Sequence, residues 1–264
     1  GRENVPLGVS TVASTAMEPL IEAAEGNAWF QLYYSGDGSG TFKLVDRAKA
    51  AGYETIILTV DVPEVGRRPR ELRHGFTMPF KIGPSQFFDF AMHPRWSLTA
   101  LAKGKPQMAN FDMDGYEFER TESRAKANWD TLSKLRDMWP GKLVVKGVLD
   151  VEDSLALKVA GVDAIQVSSH GSRQLDSAPA PITALAEIRT ALGRDFPLFY
   201  DTGLRSGEDI VKALGQGANF TFLGRTLLFA IAAAGEEGLG ALWDILKSET
   251  SITLAQIGEV SLAT

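Results

Sequence analysis

The stretch from Val167 to Asp176, VSSHGSRQLD, places a histidine and an arginine three residues apart just after an apolar run. His170 can take or release a proton near neutral pH, and Arg173 is a permanent cation whose fork of donors suits a carboxylate. Polar residues of the same kind close other apolar runs. Asp61 ends LTVD and is soon followed by Arg68. Lys146 ends VVK, Asp201 opens a turn that carries Gly203 and Arg205, and Gly224 and Arg225 follow FTFL. A base, a carboxylate, an ammonium group and several guanidiniums are the parts needed to move a proton on a bound anion. Each is weak evidence alone, because a strand-end Lys or Asp also serves in structural ion pairs. Their recurrence at the exits of successive runs points to one site.

The elements that must position these residues alternate in type. Strand-like runs cover Leu7–Ser10, Ala28–Tyr34, Thr55–Val60, Leu143–Val148, Ala164–Ser168, Leu198–Tyr200 and Phe220–Leu223. Helical periodicity falls between them, over Gly40–Ala51, Trp129–Met138, Val151–Ala160, Ile182–Leu192 and Gly207–Leu214. Asp150 and Ser206 are start signals, and Gly52, Gly161 and Gly217 are stop signals. Continuous apolar strands alternating with helices predict a parallel sheet with helices outside it. The α/β fold expected is a TIM (β/α)8 barrel of about 250 residues, short of one strand. A doubly wound open sheet has the same strand count. Loops after the last two strands of a barrel, with glycines and Arg, are also where such folds hold phosphate.

One connection, about 67–142, is far longer than ordinary βα loops. It contains an aromatic stretch, FFDFAMHPRW at 87–96. Such a segment packs as a small core of its own or forms a membrane or partner surface.

Composition narrows the classes. Over 264 residues the net charge is −6, which gives no electrostatic support for nucleic-acid binding. There is no cysteine, so disulfides, thiolate metal sites and thiol nucleophiles are excluded together. No uninterrupted apolar run reaches the ~18 residues of a membrane-spanning helix. Gly36–Gly40, GDGSG, has the wrong spacing for a dinucleotide loop. Asn110–Gly115 imitates the start of a calcium loop, but Thr121 stands where a bidentate Glu is needed. His74 and His93 lack metal-ligand spacing, and no metal site is expected.

With the motifs together, the chain resembles the FMN-dependent α-hydroxy acid oxidases and dehydrogenases, nearest the mandelate and L-lactate dehydrogenase branch. The family pattern S-N-H-G-[AG]-R-Q is matched by SSHGSRQ at Ser168–Gln174. The resemblance runs on through WFQLY at Trp29–Tyr33, LTVD at Leu58–Asp61, VKG at Val145–Gly147, Asp201–Arg205 and Gly224–Arg225. It implies that His170 is the base, paired with Asp61, and that Arg68 and Arg173 hold the substrate carboxylate. Tyr33 would hydrogen-bond the substrate hydroxyl, and Lys146 would sit beside flavin N1 and O2. Gln31, Thr59 and Ser168 would bond the isoalloxazine, and Asp201, Gly203, Arg205, Gly224 and Arg225 the ribityl chain and phosphate.

The implied activity is oxidation of a small (S)-2-hydroxy acid, with oxygen, a quinone or another electron acceptor. A homotetramer is implied as well, cytoplasmic or peripheral to the inner face of the membrane through 84–100. The chain departs from the pattern at Ser169 for Asn and at Thr202 for the first Gly of Asp-Gly-Gly. Val12 falls where glycolate oxidase has Trp, which implies room for a larger substrate. Residues 1–264 are expected to form a single FMN-binding barrel domain that lacks the family's N-terminal region and first strand. The contrasting expectation is a scaffold of the same family that does not retain FMN.

Overall fold

A computed structural model describes residues 4–66, 68–75, 82–104, 107–111, 113 and 124–261. The calcium-like position Thr121 lies outside them. Among the described residues seven strands form one sheet: β1 Leu7–Ser10, β2 Ala28–Tyr33, β3 Thr55–Thr59, β4 Lys142–Val148, β5 Ala164–Val167, β6 Leu198–Tyr200 and β7 Phe220–Thr221. Every neighbouring pair is parallel, and the strands lie side by side in chain order. A doubly wound sheet reverses its strand order at a switch point, and this one does not.

The sheet curls. Trp29 on β2 lies 5.5 Å, ring to ring, from Phe199 on β6 and 6.0 Å from Phe220 on β7. In a flat sheet β2 and β6 would be about 19 Å apart, four strand spacings. These rings, with Phe222, Ile57, Val144 and Ala164, fill the concave side as a small core. The larger core lies between the convex side and the helices, around Phe30, Leu44, Ile56, Leu143, Ile165 and Ile188. The result is a curled, barrel-like sheet of seven parallel strands with β1 and β7 at its two edges.

Strand alternation sorts the side chains. On β2, Ala28, Phe30 and Leu32 are buried toward the helices, whereas Trp29, Gln31 and Tyr33 point the other way and are half-buried. All five residues of β3, TIILT, are buried, as expected of a central strand covered on both faces. Trp29 therefore plugs the interior while Gln31 and Tyr33 reach its carboxyl end.

The helices are α1 Met17–Ala23, α2 Ser39–Ala50, α3 Pro69–Arg73, α4 Pro84–Met92, α5 Pro94–Lys103, α6 Trp129–Met138, α7 Val151–Val159, α8 Pro181–Leu192, α9 Gly207–Gly215 and α10 Arg225–Ile257. The start signals act as caps: Asp150 Oδ1 accepts from Asp153 N at 3.0 Å, and Ser206 Oγ from Asp209 N at 3.1 Å. The GDGSG segment is a loop leading into α2, where Asp37 Oδ1 accepts from Ser39 N. Described strands are absent from 67–141 apart from an isolated bridge at Met113. In that connection α4 and α5 bury no residue. Phe87, Phe88, Met92, Trp96, Leu98 and Leu101 are all exposed.

The helical periodicity did not foresee α1, α3, α4, α5 or α10. α10 is 33 residues long, with a non-helical break at Ala234 and Gly235. By length and hydropathy it meets the threshold for a membrane span. Its second half nevertheless packs on α9, where Leu246 is buried and Glu249 Oε2 accepts from Gly207 N at 2.8 Å. That contact assigns its second half to the outer helical layer.

Candidate active site

The polar residues expected at strand ends converge at the carboxyl end of the sheet. Asp61 follows β3 and His170 follows β5, with β4 between them. His170 Nδ1 lies 2.9 Å from Asp61 Oδ1. The Asp61 side chain is 11% exposed and that of His170 is 23% exposed. A carboxylate at Nδ1 holds the proton there, which leaves Nε2 as the acceptor. The Tyr33 hydroxyl, at the end of β2, lies 3.5 Å from that Nε2.

Gly147 makes the approach possible. Its φ of +103° suits glycine, and a Cβ there would come within 2.5 Å of Asp61 Cβ. Gly66 does the same for the next loop. A Cβ on it would stand 2.7 Å from Gln174 Cα, and its N–H donates to Gln174 Oε1 at 2.8 Å.

Lys146, at the end of β4, stands between two carboxylates. Its Nζ is 3.5 Å from Asp61 Oδ2 and 3.5 Å from Asp201 Oδ2, and it donates to Ser168 Oγ at 2.9 Å. Ser168 passes the connection on to Asp201 Oδ1 at 2.6 Å, and Gln166 Nε2 donates to Asp201 Oδ2. Asp201 thus belongs to the network under the strand ends. Gln31 Nε2 donates to Thr59 Oγ1 at 2.8 Å, so this pair lies side by side on β2 and β3.

At the other side, Gly203 and Gly224 face open space where a Cβ would meet nothing within 4 Å. Arg225 Nη2 donates to Gly171 O at 3.3 Å. Arg205 is exposed, and its backbone N–H donates to Asp209 Oδ2. The first turn of α10 has no side-chain cap, which leaves backbone N–H groups at its N-terminus for an anion.

Tyr33 reports on the cations. Burial, reinforced by the Asp61 charge, pushes its phenol up to about 12, while Arg124, Arg68 and Arg173 pull it down. Arg124 carries no signal in its local sequence. It lies in no helical or strand pattern, yet its guanidinium sits 5.5 Å from the Tyr33 ring centre and the residue is buried. Its own N–H donates to Pro63 O at 2.8 Å, which fastens it to the loop after Asp61. This long-range contact ties it to the site.

The donor set fits a flavin mononucleotide. An ammonium group, a side-chain amide and hydroxyls lie along one stretch of strand ends, and Gln166 Oε1 is buried without a hydrogen-bond partner. Glycines beside open space, Arg225 and an uncapped helix N-terminus lie where a phosphate would be held. Among the described residues no cluster of three His, Cys, Asp or Glu could hold a metal.

A parallel, barrel-like β/α sheet with its polar residues gathered at the carboxyl end defines the general class. Comparison with known proteins gives the family. The model of the FMN-dependent dehydrogenase family matches residues 1–264. The chain is 39% identical to (S)-mandelate dehydrogenase of Pseudomonas putida, over 97% of this chain and 66% of that protein. It is 34% identical to L-lactate dehydrogenase of Vibrio parahaemolyticus, over 99% of this chain and 72% of that one. The crystal structure of the monotopic membrane protein (S)-mandelate dehydrogenase superposes with a TM-score of 0.90 at 38% identity, covering 98% of this chain and 70% of that one. The chain belongs to the FMN-dependent dehydrogenase family, whose cofactor is FMN. It spans about two thirds of the length of the curated relatives it matches.

Proposed function

We propose that the protein oxidises an (S)-2-hydroxy acid, mandelate- or lactate-like, to the 2-oxo acid. The observation that carries this reading is the His170–Asp61 contact, which leaves Nε2 facing the Tyr33 hydroxyl among several guanidiniums. When bound, FMN would supply the oxidising power by taking up two electrons and one of the two protons the substrate loses. The protein's own residues do the rest. Arg68 and Arg173 hold the substrate carboxylate, and Tyr33 donates to the hydroxyl oxygen. His170 Nε2 takes a proton from the substrate, and Asp61 stabilises the imidazolium that results.

Lys146, Gln31, Thr59 and Ser168 would hold the ring system, with Lys146 offsetting negative charge that develops there. Asp201, Gly203, Arg205, Gly224 and Arg225 would hold the ribityl chain and phosphate. Residues 1–264 would act as one FMN-binding domain with the 67–142 insertion, and as a homotetramer. The exposed aromatics of α4 and α5 support a peripheral membrane contact through 84–100, at the cytoplasmic face. Oxygen, a quinone or another acceptor would complete turnover. The test is to load the protein with FMN and assay 2-oxo acid formation from mandelate, lactate and glycolate. Product from at least one supports the reading, and none from any, despite bound flavin, refutes it.

A further inference from the structure

Thr202 is a β-branched residue at φ +96°, a region that L side chains rarely adopt. It follows Asp201 at the end of β6, and its hydroxyl is fully engaged. It donates to Asp201 Oδ1 at 2.9 Å and accepts from Ser169 N at 3.2 Å and Gly171 N at 3.4 Å. Those two N–H groups flank His170.

The segment they belong to needs such an anchor. His170, Gly171 and Ser172 have φ of +55°, +66° and +59°, three consecutive left-handed residues of which two are not glycine. The other bonds to this turn's backbone N–H groups come from inside it or from the strand before it. His170 N donates to Ser168 Oγ at 3.0 Å, and Ser172 N donates to Ser169 Oγ at 3.2 Å. Arg225 adds one bond from outside, at Gly171 O. Thr202 is the contact that joins the amides on both sides of the histidine to a different strand end.

We infer that Thr202 is a positioning residue for His170: its hydroxyl, held by Asp201, fixes the left-handed turn that aims the imidazole at Asp61 and Tyr33. The inference rests on the proposed role of His170, and it adds a residue that touches neither substrate nor proton. A glycine would adopt this φ without strain but would lack the hydroxyl. The strained threonine is therefore explained by the two amides it captures.

The test uses Thr202→Gly, which removes the hydroxyl without adding strain, and Thr202→Ser, which keeps it. Hydrogen exchange at the Ser169 and Gly171 amides is read in both variants. The His170 imidazole resonances, one of three histidine sets, are followed by NMR. The glycine variant should lose amide protection and shift the His170 signals, and the serine variant should keep both. In FMN-loaded protein the glycine variant should reduce flavin roughly ten-fold more slowly, a barrier change of about 1.4 kcal/mol, with KM unchanged and the serine variant restoring the rate. Unchanged protection in Thr202→Gly overturns the inference, as does lost protection with an unchanged reduction rate. If no 2-hydroxy acid reduces even the unsubstituted protein, the proposed reaction falls, while the exchange and imidazole readouts still decide for or against Thr202.

Discussion

Asp61 and His170 stand 109 positions apart in sequence, and the side-chain contact between them is 2.9 Å. β3 and β5 carry them, with β4 between, so the contact exists only because the strands end together and Gly147 leaves room. Asp61→Asn should keep the fold and any bound flavin but slow flavin reduction by about two orders of magnitude. The amide would no longer stabilise the charged imidazole. Stopped-flow reduction of the FMN-loaded variant checks this. A rate within a factor of two of the unsubstituted protein would contradict it.

The phenols of Tyr33, Tyr53 and Tyr200 are each pushed up to about 12 by burial, with Asp61, Glu18 and Asp201 respectively adding to the effect. Folding therefore favours their neutral forms. This contribution is complete below pH 10 and is lost as pH rises from 10 toward 12. An ultraviolet titration of the native protein should show these three ionising late, and unfolding in denaturant should bring them back near 10. Ionisation of all the tyrosines at about 10 in the native state would be inconsistent with the buried site.

Asp163 marks the opposite pH limit. Burial works to raise its carboxyl. Lys142, the Leu143 N–H and Arg136, at 2.9 Å each, together bring it below the ordinary 3.8. A depressed carboxyl stabilises the fold above its unfolded value, and that gain is lost as pH falls below 3.8. Asp163→Asn should lower the thermal midpoint at pH 7 and have a smaller effect at pH 3. Equal effects at both values would remove the ion pairs as the cause.

The exposed pair α4 and α5 predicts a surface property separate from chemistry. Replacing Phe87 and Phe88, 64% and 69% exposed, by Glu should abolish sedimentation with anionic lipid vesicles while leaving the thermal midpoint unchanged. Equal sedimentation of both proteins would show that 84–100 is not the membrane contact.

Val12, 41% exposed just beyond β1, bears on substrate size. Val12→Trp should reduce activity on mandelate relative to lactate. An unchanged ratio would discard the size argument.

Much of this arrangement was legible in the residues. The seven strands fell within one or two residues of their expected bounds because β-branched apolar runs closed by polar residues have few alternatives. Lys142 joined β4, and Tyr34, Val60, Ser168, Phe222 and Leu223 fell off strand ends, where pairing rather than hydrophobicity decides. α1 escaped notice because it is short and carries Pro19 in its first turn. α10 escaped because its Gly- and Ala-rich sequence has little periodicity. His170, Asp61, Lys146 and Ser168 were readable as strand-end residues. Arg124 was not, since its place depends on a backbone bond to Pro63. Thr202 showed only as a departure from a glycine, and its hydroxyl partners required the turn in three dimensions.

His170 as the base of a flavin-linked oxidation is decided by anaerobic flavin reduction. FMN-loaded protein and its His170→Ala variant are mixed anaerobically with mandelate or lactate while the yellow flavin band is followed. The unsubstituted protein should bleach, and the variant should keep a stable yellow colour. A colourless protein that added FMN does not restore, or a variant that bleaches as fast as the unsubstituted protein, would contradict it.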